Sequence, residues 1–147
     1  MTEKTASIPL VEMRGITKRF SGVTANNDVT FSVNAGEVHA LLGENGAGKS
    51  TLMNILYGLY CPDSGQILVK GEPKVFYSPG DAIAAGIGMV HQHFMLVHSQ
   101  TVWENMILGL KDTAFILPRK KIQNKIAELS EHYGLQIDPS AVVWQLS

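Results

Sequence analysis

Eight residues of this chain have the types and the spacing of a loop that binds phosphate. The sequence Gly43-Glu44-Asn45-Gly46-Ala47-Gly48-Lys49-Ser50 fits the pattern G-x-x-x-x-G-K-[ST]. Its glycines allow successive backbone N–H groups to point inward around a β-phosphate. Lys49 adds a full positive charge, and the Ser50 hydroxyl suits Mg²⁺, which prefers oxygen ligands. The pattern therefore predicts a nucleotide-triphosphate site.

The elements on either side of this loop are those that its chemistry requires. The apolar residues 38–42 do not alternate with polar ones, which predicts a strand buried on both faces, as in a parallel sheet. A helix is predicted over residues 49–57, so that its positive end meets the phosphates. The alternative is a plain glycine-rich turn, which has no structural use for a Lys-Ser pair at the start of a helix.

Other strands are predicted before and after this strand, loop and helix. Residues 10–14 and 29–33 have strand patterns, and residues 66–70 and 74–77 form a predicted hairpin. Residues 87–91 are predicted to be a second buried strand.

Three further helices are predicted. A short one spans residues 78–85, with Ser78 as its cap. Another begins at Thr101, where Glu104 completes a capping box. A longer helix opens at Pro118 and ends at Gly134. Its apolar residues recur at steps of four, three and four and form one stripe: Ile122, Ile126, Leu129 and Tyr133.

Composition excludes several classes of protein. The chain has 147 residues, of which 45% are hydrophobic and 17% charged, so it is not a disordered chain. A formal net charge of -1 excludes a bulk electrostatic attraction to nucleic acid. Cys61 is the single cysteine, and no apolar run approaches the length of a membrane span. We expect a cytoplasmic chain with no nucleic-acid partner.

Four segments resemble the ABC transporter ATPases. Residues 36–52 are similar to the family's Walker A region, residues 62–67 to the turn and strand that follow, and residues 88–94 to its Q-loop. Thr101-Val102-Trp103-Glu104-Asn105 matches the T-V-x-E-N that opens the family's helical subdomain. The sequence of residues 91–97 is most similar to the matching segment in the first of two cassettes in importers of simple sugars and nucleosides.

The resemblance implies a fold class and a division of the chain. The fold is α/β, a partial P-loop NTPase core with an N-terminal antiparallel β portion and the beginning of the helical subdomain. Residues 1–98 would be the partial ATP-binding core, and residues 99–147 the start of the helical subdomain.

The resemblance also implies roles for individual residues. Phe20 occupies the position that stacks on adenine, although it can equally be read as a core aromatic at a strand end. Gln92 matches the Q-loop glutamine, which helps to hold Mg²⁺ and the attacking water; otherwise it is a polar residue at a strand end. Lys49 and Gln92 would act in catalysis, and Ser50 and Gln92 would hold Mg²⁺. The residues implied in ATP binding are Phe20, Gly43, Glu44, Asn45, Gly46, Ala47, Gly48, Lys49, Ser50 and Thr51.

Three histidines invite a metal hypothesis that the sequence does not favour. No Cys, Asp or Glu lies near enough to His91, His93 and His98 to complete a tetrahedral zinc site. The apolar residues 94–97 beside them are either core or, by resemblance, part of the surface that receives a transmembrane partner.

Two parts of a complete ATPase of this family are not found in the sequence. No apolar strand ending in Asp and followed by a catalytic Glu occurs after Gly48. The family's signature begins with Leu-Ser, and the chain ends at Leu146-Ser147. We expect a fragment of the parent ATPase that by itself does not hydrolyse ATP, and whose unpaired strand at residues 38–42 promotes association.

The function that the resemblance implies is ATP-driven import. The parent protein would couple ATP binding and hydrolysis to uptake of a small solute, a simple sugar or a nucleoside, from the inner face of the cell membrane. Its partners would be a second ATP-binding cassette in cis or in trans, permease subunits and, through them, a solute-binding protein. The alternatives are an ABC ATPase without a transport role and a non-catalytic binding module.

Overall fold

A computed structural model describes residues 8–92, 95–109 and 118–146. These residues form two compact units, Met1–Met89 and Val90–Ser147. The boundary that the sequence places between residues 98 and 99 stays a prediction. None of the helices within the described ranges is long and apolar enough to cross a bilayer.

The first unit is built on a four-stranded antiparallel sheet. Its strands are β1 (Val11–Phe20), β2 (Val23–Val33), β3 (Ser64–Val69) and β4 (Glu72–Lys74). They lie in the order β2-β1-β3-β4. The predicted antiparallel β portion is confirmed, and β1 and β2 are longer than their apolar patterns suggested because they pair along almost their whole length.

Two helices complete this unit. Helix α1 spans Lys49–Leu56, and α2 spans Pro79–Ala84 with a capping box between Ser78 and Asp81. Helix α1 buries Leu52 and Ile55 in the core of the unit. The other members of that core are Met13, Ile16, Ile67, Val69, Phe76 and Ala82.

Two predicted strands are absent from the structure. Residues 38–42 and 87–91 have no strand conformation, and Val38 and Leu42 are 98% and 90% exposed. Val90 is 84% exposed. A strand needs a neighbour to take up its backbone N–H and C=O groups, and none of the residues that the structure describes pairs with either segment. The predictions of buried strands at these two places were wrong for this chain.

The second unit contains helix α3 (Val102–Ile107), helix α4 (Arg119–His132) and a 3-10 turn at Val143–Gln145. The predicted capping box is confirmed, because Thr101 N–H donates to Glu104 Oε2 at 2.8 Å and Glu104 N–H donates to Thr101 Oγ1 at 3.4 Å. The Arg119 guanidinium lies 5.5 Å from the centre of the Trp103 ring, which links α4 to α3.

The predicted apolar stripe of α4 is only partly buried. Ile126 is 6% exposed, whereas Leu129 and Tyr133 are 41% and 70% exposed. Periodicity placed these side chains on one face of the helix, but it does not determine how much of that face is covered.

Candidate phosphate-binding site

Residues 43–48 form a closed turn that leads directly into α1. Ala47 N–H donates to the Glu44 carbonyl at 3.2 Å, and Leu52 N–H donates to the Gly48 carbonyl at 2.9 Å. Gly46 and Gly48 have φ values of 86° and 84°, which lie in the left-handed region that favours glycine. The glycines of the motif are therefore used for the tight turn that the sequence predicted.

The Lys49 ammonium holds this turn together. Lys49 Nζ donates to the Gly43 carbonyl at 2.6 Å and to the Glu44 carbonyl at 2.7 Å. A side chain from the first turn of α1 thus reaches back to the start of the loop. The loop therefore folds around the Lys49 ammonium, which places a positive charge beside the loop backbone.

The start of α1 supplies backbone donors beside that charge. Gly48 makes no side-chain cap, and the first turn holds no acidic residue. Within the described ranges, the N–H groups of Lys49 and Ser50 have no acceptor, as is normal for the first turn of a helix. Free amides, a helix N-terminus and an ammonium group fit a triphosphate. The exposed Ser50 hydroxyl is an oxygen donor of the kind that Mg²⁺ accepts.

Strand β2 supports the far end of the loop. A Cβ built on Gly48 would lie 2.0 Å from the Ala25 carbonyl oxygen, so the two backbones are in direct contact. Asn26 Nδ2 donates to the Gly48 carbonyl at 3.2 Å, and Asn26 is only 5% exposed. Asn26 was not predicted from the sequence, because no motif includes it.

Phe20 lies at the end of β1 with its ring partly open to solvent. The side chain is 42% exposed, which is not the burial of a core aromatic. Tyr60 meets the ring edge-on, with the centroids 5.4 Å apart. Lys18 Nζ lies 5.6 Å from the ring centre. The ring therefore contacts both Lys18 and Tyr60 and keeps part of its surface open to solvent, and its role with adenine stays a prediction.

Asp63 fixes the end of β1 next to Phe20. Its carboxylate accepts from Lys18 Nζ at 2.9 Å and from the Arg19 N–H at 2.6 Å. Both bonds favour the ionised carboxylate and so lower the pKa of Asp63 below its ordinary value of 3.8, and the bond from Lys18 has the larger effect. Asp63 belongs to the Pro62-Asp63-Ser64-Gly65 turn that resembles the family, but no role was predicted for it from the sequence.

Gln92 belongs to the second unit, where it is exposed. Its predicted roles with Mg²⁺ and water therefore stay predictions.

Of the residues beside Gln92, His93 and Phe94 lie outside the described residues. Val97 is held by Asn105, whose side chain accepts from the Val97 N–H at 2.8 Å and donates to its carbonyl at 3.1 Å. Met95 is 87% exposed, so the reading of this run as core does not hold for Met95.

Comparison with known proteins identifies the family. The family model described as ABC transporter matches residues 26–147. The chain belongs to the ABC transporter family. The region of this ABC chain that the match covers includes the whole phosphate loop, the residues around Gln92 and both helices of the second unit.

Curated relatives of this ABC chain are import proteins. It is 51% identical over 139 residues to the guanosine import ATP-binding protein NupO of Bacillus subtilis, an alignment that covers 94% of this chain and 27% of the relative. It is 52% identical over 143 residues to the nucleoside import ATP-binding protein NupA of Lactococcus lactis, covering 97% of this chain and 28% of the relative. The ribose import ATP-binding protein RbsA 1 of Rubrobacter xylanophilus is 49% identical, with coverage of 94% and 28%. The chain thus spans about a quarter of the length of these relatives.

Solved cassettes share the fold. A nucleotide-free ATP-binding cassette from an ABC transporter superposes with a TM-score of 0.78 at 25% identity, over 95% of this chain and 59% of that one. A cassette solved in its ADP conformation gives a TM-score of 0.79 at 24% identity, with the same coverage. The predicted fold class, a partial ABC ATPase core, is confirmed by these likenesses.

Proposed function

We propose that this chain is the ATP-binding part of an ABC importer that couples ATP binding and hydrolysis to the uptake of a small solute. The observation that carries the proposal is the loop at residues 43–50, which closes around Lys49 and leaves the first amides of α1 without acceptors. A site with these donors attracts a polyanion, and the family gives that polyanion the identity of a nucleotide triphosphate.

The solute proposed is a nucleoside or a simple sugar. The relatives that support this class are named for the import of guanosine, nucleosides, ribose and glucose. The permease subunits would choose between these solutes. The ATP-binding part would work with those subunits, with a second cassette and, through the permease, with a solute-binding protein, on the inner face of the membrane.

Each site residue has a physical task in this proposal. The Lys49 ammonium and the backbone amides of residues 43–51 that have no acceptor in the described part of the chain, among them those of Lys49 and Ser50, hold the phosphates. Ser50 and Gln92 supply oxygens that suit Mg²⁺. Phe20 offers a ring face to adenine. When bound, Mg²⁺ would neutralise charge on the phosphates, and the Gln92 amide would orient water.

The test is the binding of Mg-ATP by calorimetry to the full-length protein. Lys49→Ala is expected to weaken binding at least tenfold, because it removes the charge that completes the loop. Lys120→Ala is the matched control, since Lys120 is an exposed lysine on α4, far along the chain from the loop. Equal affinity of the Lys49→Ala protein and the unchanged protein would contradict the proposal.

A further inference from the structure

Asn26 is a buried polar residue to which the proposed function assigns no role. It is 5% exposed, and its Oδ1 atom has no hydrogen-bond partner in the part of the chain that the structure describes. Leaving a buried acceptor unpaired costs free energy that an apolar side chain of similar volume would not cost. Packing alone therefore does not explain an amide at this position.

The other end of the Asn26 amide holds the phosphate loop. Asn26 Nδ2 donates to the Gly48 carbonyl at 3.2 Å, and the same carbonyl accepts from Leu52 N–H at 2.9 Å. The bond from Leu52 N–H is a backbone hydrogen bond of the first turn of α1, and the bond from Asn26 comes from strand β2. The Gly48 carbonyl is thereby fixed from two directions.

Fixing this carbonyl also fixes a phosphate donor. A trans peptide is planar, so the Gly48 C=O and the Lys49 N–H point in opposite directions from one rigid group. Because Asn26 holds the carbonyl toward β2, the Lys49 N–H is directed away from β2. The same amide lies at the N-terminus of α1, where no side chain caps the helix.

An irregularity in β2 turns Asn26 toward the loop. In the β1–β2 register, Arg19 pairs with Thr24 and Lys18 with Asn26, so Ala25 is an extra residue on β2. An extra residue of this kind shifts the alternation of side chains and re-aims the next one. The Ala25 carbonyl contacts Gly48, and Asn26 reaches the Gly48 carbonyl.

We propose that Asn26 is a positioning residue of the phosphate loop, whose side-chain amide orients the Gly48–Lys49 peptide for binding a nucleotide triphosphate. This inference rests on the proposed function of the loop. It adds that the donor geometry of the loop depends on a side chain from a neighbouring strand, outside the glycine-lysine motif.

The test measures Mg-ATP affinity and thermal unfolding of the full-length protein with three changes. Asn26→Leu fills a similar volume without a donor, and it is expected to bind Mg-ATP about three- to tenfold more weakly while unfolding at an equal or higher temperature. Asn26→Asp keeps the shape but loses the donor when ionised. Asn27→Leu changes the exposed neighbour and is expected to leave the affinity unchanged.

A pH series separates positioning from a purely structural role. The carboxyl introduced by Asn26→Asp regains an O–H donor for the Gly48 carbonyl when it is protonated. The ratio of its affinity to that of the unchanged protein at the same pH should therefore rise as the pH is lowered from 8 to about 5, since burial favours the protonated carboxyl. The Asn26→Leu ratio should stay constant over that range.

Three outcomes would overturn the inference: unchanged affinity in Asn26→Leu, failure of Asn26→Leu to fold, or an Asn26→Asp ratio that does not depend on pH. Lys49→Ala is measured alongside. If Lys49→Ala weakens Mg-ATP binding and Asn26→Leu does not, only the role of Asn26 fails. If Lys49→Ala binds normally, the proposed function itself fails.

Discussion

The backbone of Gly48 lies directly against the carbonyl of Ala25, so that a Cβ at Gly48 would be 2.0 Å from that oxygen. The contact joins the last glycine of the phosphate loop to strand β2. It explains why this position has no room for a side chain, whereas Gly46, with a similar φ of 86°, has no atom within 4 Å of its own Cβ position.

Gly48→Ala should destabilise the protein more than Gly46→Ala. Both changes place a side chain at a positive φ, which costs about 1–2 kcal/mol. Gly48→Ala must also push the Ala25 backbone aside, which adds about 1–3 kcal/mol. Urea unfolding of the two variants measures the difference. Equal midpoints would show that the contact with Ala25 relaxes freely.

Phe20→Leu should weaken ATP binding without affecting the binding of inorganic tripolyphosphate. Stacking of a base on an aromatic ring contributes about 1–3 kcal/mol, and tripolyphosphate has no base to stack. Phe20→Tyr keeps the ring face and serves as the control. Parallel calorimetric titrations with the two ligands provide the measurement. An equal loss of affinity for ATP and for tripolyphosphate would show that Phe20 supports the shape of the phosphate loop and does not stack on the base.

Asp63→Asn should lower thermal stability at neutral pH, with an effect that disappears in acid. Asp63 has a lowered pKa because Lys18 and the Arg19 N–H bind its ionised form. A carboxyl of this kind stabilises the fold above its ordinary value of 3.8, and this contribution is lost as the pH falls through the lowered value.

The measurement for Asp63 is the unfolding temperature of the two proteins from pH 7 down to pH 2. The curves should converge at the acid end. Glu128→Gln is the control, because Glu128 is an exposed carboxylate on α4. A gap between Asp63→Asn and the unchanged protein that persisted in strong acid would show that the ionised carboxylate is not its source.

Thr101→Ala should destabilise the second unit by about 1 kcal/mol, the usual cost of losing an N-cap. The Thr101 hydroxyl donates to Glu104 Oε2 at 2.6 Å, and this bond lowers the pKa of Glu104. Thr101→Ser keeps the hydroxyl and should retain most of the stability. Urea unfolding followed by Trp fluorescence tests this, since Trp103 lies in the same helix. A loss as large in Thr101→Ser as in Thr101→Ala would disprove the hydrogen-bond account.

Features governed by neighbouring residues in sequence were predicted correctly. The turn at residues 43–48, the start of α1 and the capping box at Thr101 depend on contacts over three to six positions, such as that between Lys49 Nζ and the Gly43 carbonyl. Local chemistry of this type can be read from residue types and their spacing.

Two features that depend on distant partners were not predicted correctly. The apolar composition of residues 38–42 indicates a strand, but a strand forms only where another strand accepts its hydrogen bonds. Asn26 was missed for a related reason. The extra residue at Ala25 shifts the alternation of β2, and only the pairing register with β1 reveals it.

The nearly complete exposure of Val38 and Leu42 affects how this polypeptide behaves at high concentration. Burying an aliphatic side chain of this size releases about 1.5–3 kcal/mol, and this free energy is available to any protein surface that covers these two side chains. Ammonium sulfate strengthens burial of this kind, so the salting-out threshold of the polypeptide should rise when Leu42 is replaced by serine.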